Sequence, residues 1–301
     1  MAVSNALYTA LSGLLTQRYG LDITGHNVAN ANTEGYSRQR ADLSPGFPDY
    51  YAFGAVGRGV TIDGVERVVD EFLNSQQRGA ISLLSSDQTL AVAYSRLEAF
   101  FNELSDYDLS TGFDTFYNSL QDLSLNAESE ATRSVVVQQA LALRDMVGVV
   151  YNAMRDYYLQ LNEDVIAQVD KVNELIDEVA DLNRQIVLHE GTGSISANDL
   201  RDMRDTKLAE LAGMVDVTTI EQPGGAVNVT VRGMPLILLT HAFHLNTYND
   251  VTSDGLPTVG VRFEDDESPF LSREGTLAAT LQARDEVLAG FMDDLNRFTA
   301  E

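Results

Sequence analysis

Val147, Tyr151, Met154, Tyr158, Leu161, Val165, Gln168, Val172, Leu175, Val179, Leu182 and Ile186 follow one another in alternating steps of four and three residues, with only Gln168 polar. Such a stripe keeps one face of a helix apolar over roughly 40 residues, and at about 1.5 Å per residue the helix extends on the order of 60 Å. An isolated helix is marginal in water, so the stripe has to be covered by other helices. Two segments have the pattern to do this. One runs from Val65 to about Leu104, with Val65, Val68, Val69, Phe72 and Leu73 first and Leu84, Leu90, Tyr94, Leu97 and Phe101 later; the other runs from Leu277 to Phe298. Ser110 to Leu125 predicts a further short amphipathic helix.

Between these helices the composition changes. Gly191-Thr192-Gly193-Ser194 breaks the rod, and Asn198 or Ser196 is placed to cap a short helix running to Met214. Val215–Ile220, Ala226–Arg232, Leu236–Thr240 and Thr258–Phe263 are rich in Val, Ile and Thr and separated by Gly, Pro and Asp turns, which predicts strands. A helical pattern then returns, so the β-region reads as an insertion. Residues 41–64, with Pro45, Pro48, five glycines and the aromatics Phe47, Tyr50, Tyr51 and Phe53, read as an irregular loop. The expected fold is therefore mainly α: a long antiparallel coiled-coil-like helical bundle with an inserted small β-domain. The expected division is 1–45 as an N-terminal helix with its Asn-rich motif, 46–64 as a linker, 65–212 as the bundle, 213–270 as the β-insertion and 271–301 as the returning helix.

The first residues carry a second heptad, Val3, Leu7, Ala10, Leu14, Gln17, Leu21, Thr24 and Val28, diluted by alanine, glycine and threonine. Its composition cannot hold a helix by itself, so the segment is expected to order on assembly. The run Asn27-Val28-Ala29-Asn30-Ala31-Asn32-Thr33-Glu34-Gly35-Tyr36 follows. Asn side chains bond to nearby backbone and Gly35 permits a left-handed turn, so the helix should end near Asn30 and Tyr36 onward should be extended.

Ala10-Leu11-Ser12-Gly13-Leu14 followed by Asn27 to Gln39 resembles the N-terminal signature of bacterial flagellar rod, hook and hook-associated proteins. Gly35-Tyr36-Ser37-Arg38-Gln39, Gly57-Arg58-Gly59-Val60, and Arg67-Val68-Val69-Asp70-Glu71-Phe72-Leu73 with Gln76-Gln77-Arg78 resemble, within that group, the family of the first hook–filament junction protein. Asp199-Leu200-Arg201-Asp202, Gly225 to Pro235, Gly275-Thr276-Leu277 and Ala283-Arg284-Asp285 match in the family's order. The resemblance implies a structural subunit that self-associates into a ring, with hook protein on one side and a second junction protein on the other. It also implies an export chaperone, passage through the flagellum's own channel without a cleaved signal peptide, and an extracellular place in the flagellum. The family continues to a C-terminal heptad that pairs with the first, and the chain ends at Glu301, which reads as a truncation. The assembly residues expected are Val3, Leu7, Ala10, Leu11, Leu14, Leu21, Asn27, Val28, Asn30, Asn32, Gly35 and Tyr36. A rod or hook component, or an enzyme carrying a flagellar-type export segment, are the rival readings.

A net charge of -25 argues against nucleic acid or an anionic membrane as partner. With no cysteine, neither a disulfide nor thiol chemistry can be built. No apolar run reaches the roughly 18 to 20 residues that span a bilayer. His241-Ala242-Phe243-His244 looks like a metal pair, but it lies beside predicted strands, where residues three apart face opposite sides. His26 and His189 are too isolated in sequence to complete a site. Glu264-Asp265-Asp266-Glu267 lacks the alternating ligands of a calcium loop and reads as a solvated turn. Gly54, Gly57 and Gly59 have the wrong spacing for a dinucleotide loop, and neither a Gly-x-Ser-x-Gly elbow nor a phosphate-loop lysine motif is present. The expectation is no catalytic, metal or cofactor site.

Overall fold

A computed structural model describes residues 2–101, 109–191, 196–253 and 255–300. The chain runs through α1 (Ala2–Ala29), β1 (Gln39–Pro45), β2 (Asp49–Tyr51), β3 (Gly54–Val56), β4 (Val60–Arg67), α2 (Glu71–Phe101), α3 (Leu109–Leu125), α4 (Glu130–Glu190) and α5 (Asn198–Met214). Strands β5 (Val217–Glu221), β6 (Val227–Val231), β7 (Met234–Leu238), β8 (His241–Ala242), β9 (Leu245–Val251) and β10 (Pro257–Phe263) follow. The last part is α6 (Thr276–Gln282), a π-helical turn (Ala283–Leu288) and α7 (Ala289–Ala300). It is the expected fold class, mainly helical with small antiparallel sheets. Two compact units form: Met1–Ile81 with Val172–Ala212 and Asp216–His244, and Ser82–Lys171 with Gly213–Val215 and Leu245–Glu301.

In the second unit the apolar stripe of α4 is the core. Val150, Met154, Tyr157, Tyr158 and Leu161 cluster with Ala93 and Leu97 of α2 and with Ala283, Leu288 and Met292 of the last helical segment. Phe100 meets Tyr157 edge-on, Arg96 lies over the same ring, and Gln168 donates to Thr280. The last helical segment runs antiparallel to α4, since Thr280 meets Gln168 and the later Arg284 meets the earlier Asn162. Asn162 fixes the β9–β10 hairpin against this bundle: its Nδ2 donates to Pro257 O (2.8 Å), and its Oδ1 accepts from Val259 N (3.2 Å) and from the buried Arg284 (2.8 Å).

In the first unit Val172, Leu175, Ile176, Val179 and Ile186 continue the buried stripe of α4, with Leu208 and Leu211 of α5 and Val229, Val231, Leu236 and Ile237 of the sheet also buried. That sheet has the order β5-β6-β7-β8, all antiparallel. Asn183 makes the same bracket there that Asn162 makes in the other unit. Its Nδ2 donates to Val227 O and Leu239 O (2.8 and 2.7 Å), and its Oδ1 accepts from Val227 N and from buried Arg204 (both 3.1 Å). Inward-facing backbone that a strand end would leave unpaired is satisfied in this way. At the end of α4, Glu190 takes two bonds from Arg201 (both 2.8 Å) and one from Ala197 N (2.9 Å). Burial alone would raise the carboxyl's pKa; those bonds outweigh it and hold the pKa below the ordinary value.

Several expectations are corrected. Residues 41–64 are not an irregular loop: β2 pairs β3, and β1 pairs β4 from Gln39↔Arg67 to Pro45↔Val60 across a bulge at Asp42/Leu43. Val65 lies in β4, and α2 starts only at Glu71, because Asp70 Oδ1 accepts from the Phe72 and Leu73 amides and caps it. Asn198 does not cap α5; its amide donates to Val65 O. The rod begins at Glu130, earlier than the heptad suggests, where the Thr132 amide meets the Ser129 hydroxyl. The last helix is interrupted by the π-helical turn, and strands β8 and β9 went unread. Leu104, Thr192, Gly193 and Ser194 lie outside the described residues.

Candidate assembly surface

Helix α1 runs over Ala2–Ala29, the segment expected to order on assembly. It packs on the β1–β4 ladder through small and polar side chains. Asn5, Ser12, Gly13, Thr16, Gly20, Ile23 and Asn27 are its buried or half-buried positions, with Asn30 just past its end, and their spacing places them on one face. Ser12 Oγ donates to Thr9 O (2.9 Å) and accepts from Val60 N (3.3 Å). The approach is closest at Gly59, whose φ is 92° and where any Cβ would run into Ser12 and the Thr9 backbone.

The opposite face is apolar and lies in solvent. Leu7, Leu14, Leu21 and Val28 are 66%, 71%, 72% and 71% exposed, and Leu11 and Ala10 are exposed beside them. Val3 belongs to the same helix, with its side chain outside the described residues. The predicted stripe is thus brought together as one surface, and nothing in the described chain covers it.

The Asn-rich motif is a helix-end lock. Asn27 Nδ2 donates to Gln39 O (2.9 Å), while its Oδ1 accepts from Gln39 N and from Tyr36 OH (both 2.8 Å). Tyr36 OH also lies 3.0 Å from His26 Nδ1; since its own proton goes to Asn27, the ring nitrogen must be the donor. Asn30 Nδ2 donates to His26 O (3.1 Å) and its Oδ1 accepts from Thr33 (3.3 Å). Asn32 is exposed. Gly35, with φ 79°, turns the chain against Thr206 of α5, where no side chain fits.

Helix α5 supplies residues the sequence reading missed. Arg67 Nη1 donates to Asp202 (2.7 Å) and Asp205 (2.8 Å), with the Arg67 side chain only 4% exposed. Burial alone would lower the guanidinium's pKa, but the two carboxylates raise it. Asp202 Oδ2 also accepts from Ser37 N (2.9 Å), and Asp199 accepts from Gln39 Nε2 (3.0 Å). Asp199, Asp202 and Asp205, three residues apart, lie along one face of α5 and hold the turn that follows α1. The spacing was readable; the partners, over 130 residues earlier, were not.

His244 Nε2 lies 2.8 Å from Asp177, whereas His241 stacks edge-on against Phe243, so the two do not converge. Among the described residues no group of three or more His, Asp or Glu is placed to hold a metal, and no helix is long and apolar enough to cross a membrane. Asp266 accepts from Ser268 N and closes the acidic turn.

Residues 94–301 match the family described as the flagellar hook-associated protein FlgK helical domain, and residues 7–36 match the flagella basal body rod protein family. The chain is similar to flagellar hook-associated protein 1 of Bacillus subtilis, 34% identical over 75% of this chain and 46% of that one. It is 33% identical to the protein of the same name in Salmonella typhimurium, over 76% of this chain and 41% of the relative. The chain thus spans less than half the length of these curated relatives. The flagellar hook junction protein FlgK from Burkholderia pseudomallei shares the fold, with a TM-score of 0.56 and 20% identity over 70% of this chain and 39% of that structure.

Proposed function

This chain belongs to the flagellar hook-associated protein FlgK family, and from that premise we propose that it is a structural subunit of the junction between hook and filament. The observation that carries the reading is α1, docked on its own chain by its polar face with its apolar stripe turned to solvent. In a finished globular domain that stripe would be the inner one. Here it is a surface for another helix, and the partner we assign is a helix of neighbouring subunits. Val3, Leu7, Ala10, Leu11, Leu14, Leu21 and Val28 pack; Asn27, Asn30, Asn32, Gly35 and Tyr36 set the angle at which the helix leaves the body.

Assembly produces a ring seated on hook protein and offering its other side to a second junction protein. Export runs without a cleaved signal peptide, assisted by a chaperone, to an extracellular place in the flagellum; neither nucleic acid nor membrane is a partner. In this reading the protein acts by packing and turns over no substrate.

The match of residues 7–36 to the rod family favours a second reading, a rod or hook component. Deleting the gene and imaging the cells by electron microscopy separates the two. Bare hooks with filament protein lost to the medium are expected; missing hooks would assign the chain to the rod or hook, and normal flagella would refute both readings.

A further inference from the structure

The turn between β1 and β4 is not built as a turn ordinarily is. Phe47, Tyr50 and Phe53 are 93%, 84% and 81% exposed there, where Gly, Asn, Asp and Ser would serve a simple connection. The β2–β3 hairpin is nevertheless held firmly. Tyr51 and Phe53 stack with centroids 5.1 Å apart and planes 6° from parallel. Asn5 Nδ2 of α1 donates to Asp49 Oδ2 (3.1 Å) and to Tyr51 OH (3.0 Å), and Arg58 lies 3.4 Å from the same Asp49 carboxylate. An aromatic knob fixed beside the first turns of α1 loses little conformational freedom on docking, which is the property of a contact surface.

Charge selects the partner. Residues 1–60 hold four arginines (Arg18, Arg38, Arg40 and Arg58) and four carboxylates (Asp22, Glu34, Asp42 and Asp49), so the rest of the chain carries the whole net charge of -25. Copies that approach through their acidic parts repel one another, whereas the neutral first 60 residues can meet without that cost. Area agrees with this. Three exposed aromatic rings provide on the order of 400 to 500 Å², about half of the roughly 800 Å² that each partner gives to a stable interface, and the apolar side of α1 is contiguous in sequence with the segment that supplies the rest.

We propose that the aromatic hairpin, through Phe47, Tyr50 and Phe53, docks against the neutral first 60 residues of a second copy of this chain. The inference rests on the self-assembly reading above and adds to it a specific surface apart from the α1 stripe.

The test places the photo-cross-linking residue p-benzoylphenylalanine at Phe53, and separately at Leu14, in the full-length protein of the source bacterium, followed by irradiation of isolated flagella and mass spectrometry. The Phe53 probe is expected to join two copies, with the attached peptide inside residues 1–60, and Phe47→Ser with Tyr50→Ser should lower that yield about tenfold or more. Because these rings touch solvent, the doubly substituted monomer should keep its circular dichroism and melting temperature, which separates lost docking from lost folding. A Phe53 probe that attaches only to another protein, or to nothing, while the Leu14 probe still cross-links in the flagellum, would overturn the hairpin proposal and leave the junction reading standing. Absence of the protein from isolated flagella would overturn both.

Discussion

Asn183→Ala should cost more stability than any other loss of one amide group in the first unit. The side chain is 0% exposed, and three of its four hydrogen bonds end on the buried residues Val227 and Arg204, the fourth on the carbonyl of Leu239. Truncation strands the Val227 N–H, the Val227 and Leu239 carbonyls and one donor of Arg204, which retains its bond to Gly225 O. At about 1–3 kcal/mol for each buried group left unsatisfied, and with water entering the vacated space to satisfy part of them, the net loss is about 4 kcal/mol. That is a large share of the roughly 5–15 kcal/mol by which a folded protein exceeds its unfolded chain. Asn162→Ala removes three bonds rather than four and should cost about 3 kcal/mol. The two residues share no partner, so the double substitution should be additive to about 0.5 kcal/mol. Asn183→Asp is the control for shape: it can still accept from Val227 N and Arg204 but points a carboxylate at two carbonyls, and should be no more stable than alanine. Urea unfolding followed by far-ultraviolet circular dichroism gives the magnitude, and amide exchange at Val227 and Val259 gives the location. A loss below about 1 kcal/mol for Asn183→Ala with unchanged exchange at Val227 would refute the reasoning, because it would mean the strand holds its register without the bracket.

Gly59→Ala should loosen α1 from its own chain, since φ 92° disfavours any side chain and the added Cβ meets Ser12 and Thr9; about 1–3 kcal/mol is expected, read as faster amide exchange across residues 5–27. Acid should weaken the α4–α5 junction. The folded Glu190 pKa lies below its ordinary 4.5, so its contribution is complete above that value and disappears as pH falls through the lower folded one. Glu190→Gln should flatten this part of the pH profile, measured by thermal melts between pH 3 and 6 in steps of about half a unit.

What could be read from the sequence depended on how far apart the deciding partners are. The α4 heptad was plain because its signal lies within one helix, and the covering segments followed from the need to bury it. Asn27 was nearly as plain, its partners being Tyr36 and Gln39. Strand β4 was missed although Val60, Thr61, Ile62 and Asp63 alternate, because the glycines and prolines around them signalled a loop and the bulge at Asp42/Leu43 breaks the partner's pattern. The π-helical turn has no local signature; it brings Arg284 to Asn162 and Val259, which are far away in sequence. The three aspartates of α5 find their partners, Arg67, Ser37 and Gln39, more than 130 residues earlier in the chain, where no local pattern points to them.

The orientation of α1 bears most on function. Five apolar side chains, Leu7, Leu11, Leu14, Leu21 and Val28, stand in water on a helix whose other face is tied down by hydrogen bonds. Burying them completely would stabilise an assembly by on the order of 10 kcal/mol per subunit, an upper bound that exceeds anything the polar face contributes. If the helix existed only to complete this chain's core, rotation by half a turn would be strongly favoured. The Asn27 lock, the close approach at Gly59 and the Asp202–Arg67 clamp oppose that rotation. They hold the apolar stripe outward, so in the proposed assembly the weak polar bonds would set how α1 is presented and covering the stripe would supply the main driving force.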